Sequence, residues 1–456
     1  MSFPSSASVA VLHPDLRVEY QRGVYLYAKS LMAGLHSSHN PFRLVTDAVP
    51  TDDAVADMAK LVRQIESPKK VRIRAWQMLP RYLQMELFHR IRMDVWQLPA
   101  AADFGDRSRF LRSANGLLNV EMIYEVCRLA GNKSVVPPVD VDFLGRSGTE
   151  LVLTTAPTAI RSSAAKVKVI QTVHDLILYD APRLSSGYRN YRRRVAACTR
   201  HADMILSMSE FTRDELLKHH PEAEDRVRVL YQPIPADEAA ISQSALPSVQ
   251  ATVLQRYGIR HKQFLLFIGA IEARKNVANL IRAHRRSRVA ALIPLVIVGG
   301  IDGSYLASEG LTLDANESGF GVIPSADGRG EGAIFLGRVP EVDKLALLRA
   351  AALFVFPTLL EGFGIPVLEA QSMGCPVLAS RSSTMPEVLG DSAQLVEHIT
   401  DVDALASAMD EMVGSPLWLD ELACAGLKNS CRFSKNTFAS NLSALIAECR
   451  ELPARR

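Results

Sequence analysis

Long apolar runs are missing from this sequence. It has no stretch of roughly 18 consecutive apolar residues, so a membrane-spanning helix is not expected. The opening segment, MSFPSSASVAVLHP, lacks the basic start and long apolar core of a secretory leader, so export is not expected either. Cysteine is scarce and unpatterned. Cys127, Cys198, Cys375, Cys424, Cys431 and Cys449 form no CxxC pair, which argues against a zinc ribbon or a disulfide framework and suits reduced thiols in a cytosol. An excess of one charge is also lacking: the net charge is +3 over 456 residues. With 48% hydrophobic and 22% charged residues, the composition is that of an ordinary folded chain and excludes wholesale disorder.

The small net charge hides a division. Residues 1–235 hold 32 Lys and Arg against 25 Asp and Glu, a net +7, and the remainder holds 20 against 24, a net −4. A basic half can meet nucleic acid, anionic lipid or phosphorylated substrates. No nucleic-acid-binding motif accompanies the basic runs, so no nucleic-acid partner is expected.

A chain of this length exceeds one typical hydrophobic core, and two domains are expected. From Phe264 onward, unbroken apolar runs (FLLFIGAI, PLVIVGG, AIFLGRV, LFVFP) alternate with helical stretches such as VANLIRAHRR and KLALLRAA. Such alternation predicts a parallel sheet covered by helices on both faces. The first half shows the same signs less cleanly, in ASVAVLHP, ELVLTTAP, KVKVIQTVHD and ADMILSMS. Pro233 and Pro235 close a strand-like run and suggest a boundary there. Residues 303–331, rich in Gly, Ser and acidic residues without a sustained period, read as a loop insertion. Ligands of such sheets bind beyond the carboxyl ends of the strands, so chemistry is sought in the residues that close each run.

Glu361-Gly362-Phe363-Gly364-Ile365-Pro366 closes the run LFVFP and leads into a helix, since proline is favoured at a first helical position. Backbone N–H groups at a helix start, beside glycines that admit close approach, suit sugar hydroxyls or phosphate oxygens. Glu361 on the loop and Glu369 on the helix, eight positions apart, can hold different parts of one extended polar ligand.

The stretch EGFGIPVLEAQSMGCPVLAS resembles the E-x7-E signature of family 4 (group 1) retaining glycosyltransferases. The resemblance extends over residues 165–440. It implies an α/β fold of the GT-B type, two Rossmann-like domains facing across a cleft. Residues 1–235 would be the acceptor-side domain and 236–435 the nucleotide-sugar domain, with a C-terminal helix at about 436–456 packing back on the first. It implies that Glu361 contacts the donor sugar, with Gly362, Phe363 and Gly364 lining it, and that Glu369 binds the ribose hydroxyls.

Gly269-Ala270-Ile271-Glu272-Ala273-Arg274-Lys275-Asn276 resembles the family's GxxxxRKN element, whose Arg and Lys hold the donor diphosphate. Guanidinium and ammonium groups there neutralise the charge that builds on a departing nucleotide diphosphate. Gly337-Arg338-Val339 resembles the strand-to-loop element bordering the base. His174 with Asp175 resembles the HD element, in which the histidine reaches the donor sugar and the aspartate orients the loop or the imidazole. Ser209, in SEFT, resembles a residue near the phosphates, although serine there is equally a helix N-cap. Gly23, in RGVY, stands where the family has a Gly-rich loop.

The implied catalytic residues are His174, Arg274, Lys275 and Glu361. The implied donor-binding set is Gly23, Ser209, Gly269, Arg274, Lys275, Gly337, Arg338, Val339, Glu361, Gly362, Phe363, Gly364 and Glu369. No cofactor and no metal are expected, because Arg274 and Lys275 can serve in a metal's place.

The TVHDL element with EGFGIPVLE most resembles bacterial enzymes of O-antigen or exopolysaccharide synthesis, many of them mannosyltransferases. GDP-mannose leads as donor, ahead of UDP-glucose and related UDP sugars. The acceptor would be a hydroxyl of a glycan or lipid-linked glycan, handled in the cytoplasm or at the inner face of the membrane. Residues 67–96, basic and aromatic, suit either an anionic membrane interface or packing on the N-terminal sheet. Arg189, Arg192, Arg193 and Arg194 suit a phosphorylated lipid acceptor or a solvated helix face. Two rivals stay open: a GT-B nucleotide-sugar epimerase, and a non-catalytic sugar-nucleotide-binding subunit.

Overall fold

The computed structural model describes residues 7–13, 22–47, 61, 80, 82–83, 93–98, 109–133, 135–180, 187–300, 303–311, 314–315, 321–323 and 333–453. The chain divides into two compact units, one of residues 1–233 with 435–456 and one of residues 234–434.

The first unit is built on strands β1 (Val9–Leu12), β2 (Phe42–Thr46), β3 (Met93–Trp96), β4 (Leu117–Val120), β6 (Leu151–Thr154), β8 (Lys168–Val173), β9 (Met204–Ser207) and β10 (Val227–Val229), in the order β10-β9-β8-β6-β1-β2-β4-β3. All neighbours are parallel except β3, which runs antiparallel to β4 at the edge. Short strands β5 (Val139–Asp140) and β7 (Ile160–Arg161) pair separately. β1 is buried along its whole length and lies between β2 and β6, with Val9 opposite Phe42 on one side and Leu151 on the other. The strand order therefore reverses at β1, and the loops after β1 and β6 leave a topological switch point.

Helix Arg22–Ser37 buries Tyr27, Leu31, Met32 and Leu35, each such apolar side chain contributing roughly 1.5–3 kcal/mol. The terminal helix Lys435–Glu451 packs on it. Phe438 lies so close to Gly34 that a Cβ there would sit 3.0 Å from the ring, and Tyr27 meets Phe438 edge-on at 6.3 Å. Arg228 pairs with Glu448 at 2.7 Å, and Lys168 donates to the carbonyl of Leu452, tying the same helix to the sheet.

The second unit holds β11 (Leu265–Ile268), β12 (Leu295–Val298), β13 (Asp314–Ala315), β14 (Gly321–Ile323), β15 (Ala333–Phe335), β16 (Leu353–Phe356), β17 (Val377–Ser380) and β18 (Gln394–Val396), in the order β13-β14-β15-β12-β11-β16-β17-β18. The six strands from β15 to β18 are parallel, and their order reverses at β11. Leu265 faces Leu295 of β12 on one side and Leu353 of β16 on the other. Phe267, Phe354 and Phe356 stack with ring centroids about 6 Å apart in the core. The ends of β11 and β12 come together so tightly that a Cβ on Gly299 would fall 1.7 Å from the carbonyl oxygen of Gly269, which excludes every side chain at Gly299.

One expectation changes here. The described part of 303–331 is not loop: it forms helix Gly303–Ser308 and the antiparallel pair β13–β14, which extends the sheet beyond β15. Strands of two and three residues are too short to show a period, and this hid them. Most of residues 67–96 lies outside the described residues. Among the described residues, no helix is long and apolar enough to cross a membrane.

Candidate active site

β11 and β16 are paired neighbours, so the loops at their carboxyl ends emerge side by side at the switch point of the second sheet. The loop after β11 makes one 3-10 turn, Ala273–Lys275, and Asn276 turns into helix Val277–Arg286 in the left-handed conformation, at φ 58°. The loop after β16 runs through Glu361 to Gly364, whose φ of 98° starts helix Ile365–Ser372. That conformation is what favours glycine at 364, and a Cβ there would also displace the terminal methyl of Met385, 2.3 Å away. The two loops are stitched together: Leu359 N donates to Arg274 O at 2.8 Å, and Thr358 Oγ1 donates to the same carbonyl.

This stitching brings three charges to one point. Glu361 Oε1 accepts from Arg274 Nη1 at 3.0 Å and from Lys275 Nζ, and the Glu361 amide donates to Ser383 Oγ. Arg274 Nη2 also reaches Glu272 at 2.7 Å. Lys275 is buried, and its ammonium lies 4.7 Å from the ring centre of Phe356, a favourable cation–π position. Burial alone would raise the Glu361 carboxyl, but Lys275 and Arg274 outweigh it and hold the group below the usual carboxylate range. The cluster is thus an ionised carboxylate shared by two cations, at the place where a parallel sheet binds its ligand.

The other second-unit residues of the donor set fall at the same sheet end. Gly269 ends β11, and Gly337 turns the chain after β15 at φ 64° while accepting from Gly299 N. The exposed Arg338 lies over Gly300, a Cβ there being 3.5 Å from its Nε; Val339 follows. Phe363 is buried edge-on against Phe433 at 5.7 Å, so its ring supports the loop from below, and Gly362 beside it is buried. Glu369, one turn into the helix, bonds Lys344 Nζ at 2.8 Å.

In the first unit, the carboxyl ends of β1, β6 and β8 bring together His13, Thr155 and His174. His174 Nε2 lies 2.7 Å from the Thr155 carbonyl. A carbonyl only accepts, so Nε2 carries the proton and Nδ1 presents a lone pair. Tyr27 packs edge-on against the imidazole at 4.9 Å. Burial drives His174 down to about 4 against the pull of the Thr155 bond, so the ring is neutral near pH 7. His13, fully buried, holds Thr155 Oγ1 at 2.5 Å through Nδ1, while its Nε2 has no partner among the described residues. Burial, with His174 beside it, drives His13 to about 3. His13 is not part of the site expected from sequence, yet the rule that selects His174, a histidine closing a strand, selects His13 equally.

These two rings make stability depend on acid. In the unfolded chain both titrate near 6.5, whereas the folded protein refuses their protons until about pH 4 and 3. Their contribution is complete above about pH 6.5 and is lost as the pH falls toward 4. The melting temperature is expected to drop by several degrees between pH 7 and pH 5, and His13→Asn to flatten part of that slope. A melting temperature unchanged over that range would mean the rings are not held neutral.

Two assignments take a different form in the structure. Ser209 is a helix cap: its buried Oγ accepts from Thr212 N at 3.0 Å and donates to Thr212 Oγ1 at 2.9 Å, which commits the hydroxyl to starting helix Glu210–His219. Gly23 lies in the first turn of helix Arg22–Ser37, exposed, and not in a Gly-rich loop; a Cβ there would meet nothing within 4 Å. Asp175 orients its own loop, accepting from Ile177 N at 3.0 Å.

Two Asp-Val-Asp triplets occur in the chain, a spacing a divalent cation could use, and both are otherwise engaged. Asp140 and Asp142 accept from Ser162, Ser163 and the amides of Ala164 and Lys166. Asp401 caps helix Val402–Val413, and Asp403 pairs with Arg286.

The chain as a whole is similar to known proteins. The family described as Glycosyl transferases group 1 matches residues 254–428, and Glycosyltransferase Family 4 matches residues 147–238. O-antigen chain mannosyltransferase B of Escherichia coli is 30% identical over 275 residues, 59% of this chain and 67% of that protein. The serotype-specific mannosyltransferase WbdA of Escherichia coli is 30% identical over 208 residues, 44% of this chain and only 24% of WbdA. Among solved structures, Anabaena HepE in complex with UDP and glucose aligns with a TM-score of 0.58 at 14% identity, over 97% of this chain and 100% of that one. WaaG, a glycosyltransferase involved in lipopolysaccharide biosynthesis, aligns with a TM-score of 0.58 at 14% identity, over 96% and 99%. Paired Rossmann-like sheets of this kind are the GT-B fold, and the chain belongs to glycosyltransferase family 4.

Proposed function

We propose that this enzyme transfers mannose from GDP-mannose, with retention of anomeric configuration, to a hydroxyl of a glycan or lipid-linked acceptor in cell-surface polysaccharide synthesis. The observation that carries the reading is the convergence of Arg274 and Lys275 on one carboxylate at the switch point of the second sheet. Two cations fixed in that place match a diphosphate leaving group, whose charge grows as the glycosidic bond breaks. The mannose assignment is supported by the names of the relatives in O-antigen synthesis.

The expected transition state is oxocarbenium-like. Glu361 is neutralised by two cations, which makes it a poor nucleophile toward the sugar carbon and favours a front-face reaction in which the departing phosphate takes the acceptor's proton. His174 offers the Nδ1 lone pair to a sugar hydroxyl, and Glu369 takes the ribose hydroxyls. The Arg274–Lys275 pair serves in place of a metal. On helix Tyr188–His201, the run Arg189, Arg192, Arg193 and Arg194 suits a phosphorylated, membrane-held acceptor at the cytoplasmic face.

The test is to incubate the full chain with labelled GDP and UDP sugars and a lipid extract. Labelling of a lipid-linked glycan from GDP-mannose is the expected result. Transfer from a UDP sugar alone overturns the donor, release of an epimerised nucleotide sugar identifies an epimerase, and binding without turnover identifies a non-catalytic subunit.

A further inference from the structure

A buried glutamate with three side-chain torsions needs a partner to fix its carboxylate in one place. Glu369 is 5% exposed, and an ion-pair partner of its carboxylate comes from a different helix. Lys344 projects from helix Glu341–Ala350, which follows β15 and the Gly337–Val339 turn and packs beside helix Ile365–Ser372. Its ammonium lies 2.8 Å from Glu369 Oε1 and 2.8 Å from Glu341 Oε1. The side chains of Glu369, Lys344 and Glu341 are 6%, 14% and 37% exposed, so the triad runs from the interior outward and its inner end is the carboxylate assigned to the donor. Burial by itself would lower the lysine, but the two carboxylates outweigh it and raise it above its ordinary value, so Lys344 is charged wherever the enzyme works.

An ionised carboxylate has about four lone-pair positions. The Lys344 bond occupies one of those positions. Without the ammonium, a carboxylate this deeply buried either takes up a proton, losing an acceptor, or swings toward water.

We propose that Lys344 is a positioning residue for donor binding: through its ion pair with Glu369 it holds that carboxylate ionised and aimed for the two ribose hydroxyls of the nucleotide. The proposal rests on reading Glu369 as the ribose-binding residue. Lys344 touches no reacting atom, and its loss acts on donor affinity much more than on turnover at saturating donor.

The experiment titrates GDP, UDP and their 2′-deoxy forms against the wild-type chain, Lys344→Met, Lys344→Arg, Glu369→Gln and the double variant Lys344→Met/Glu369→Gln. Lys344→Met is expected to weaken the ribonucleotide about tenfold and shrink its advantage over the 2′-deoxy form. Lys344→Arg, which keeps the charge, is expected to recover most of the affinity. In the Glu369→Gln background, Lys344→Met is expected to add nothing, the signature of action through Glu369. Wild-type affinity in Lys344→Met, or an equal further loss in the Glu369→Gln background, overturns the proposal. If Glu369→Gln itself binds as wild type, or the wild-type chain binds neither nucleotide, the ribose reading of Glu369 falls and the proposal with it.

Discussion

Replacing Lys275 by methionine is expected to lower kcat about a thousandfold while the chain stays folded. The side chain is 8% exposed, against 28% for Arg274, so its charge acts with less screening by water. Methionine keeps the length and apolar character of the buried stem, and Arg274 remains to satisfy Glu361. What the variant loses is an ammonium already in position before the diphosphate gains charge. Preorganised charge of this kind needs no reorganisation during the reaction, which is why single deletions of it cost so much. Lys275→Arg is not expected to restore the rate, because a planar guanidinium does not reproduce a compact ammonium. Initial rates at saturating donor, with melting temperatures as control, decide the matter. A loss under about tenfold would make Lys275 a structural counter-ion to Glu361 and no more.

The legibility of this cluster in the sequence has a physical origin. β11, β12 and β16 are covered on both faces, so each reads as an unbroken apolar run whose end is marked by Gly269, Gly299 or the proline of LFVFP. Residues that close such runs lie at the ligand end of the sheet, which is why Arg274, Lys275 and Glu361 stand out from the sequence alone. The first unit is harder to read because its strands are interrupted: Arg43 stands within β2, Asn119 within β4, and edge strand β3 is only partly buried. Lys344 is illegible for another reason. It meets Glu369 across two helices, and no local period reports a contact between side chains 25 positions apart. Ser209 carries two readings because helix caps and phosphate sites use the same hydroxyl chemistry, and only the bonds to Thr212 separate them.

Glu361→Gln is expected to bind free nucleoside diphosphate more tightly than the wild type, although sugar transfer falls about a hundredfold or more. Glu361 Oε1 is the counter-ion of both Arg274 and Lys275, so an incoming diphosphate competes with an internal anion for the same two cations. Glutamine keeps a carbonyl acceptor of the same shape but removes the competing charge. GDP or UDP, lacking the sugar that Glu361 is proposed to contact, then gains the cations without losing a partner, and affinity rises by about tenfold. The same substitution leaves Lys275 buried without its counter-ion, a change that costs roughly 3 kcal/mol in stability. Nucleotide that supplies the missing charge should return much of that loss. The variant is therefore expected to melt below the wild type without nucleotide and to show a larger rise in melting temperature with GDP or UDP. Melting curves with and without nucleotide, beside a titration and a transfer assay, separate these effects. If Glu361→Gln binds nucleotide no better than wild type, the Arg274–Lys275 cations do not face the diphosphate, and the donor must lie elsewhere on this sheet.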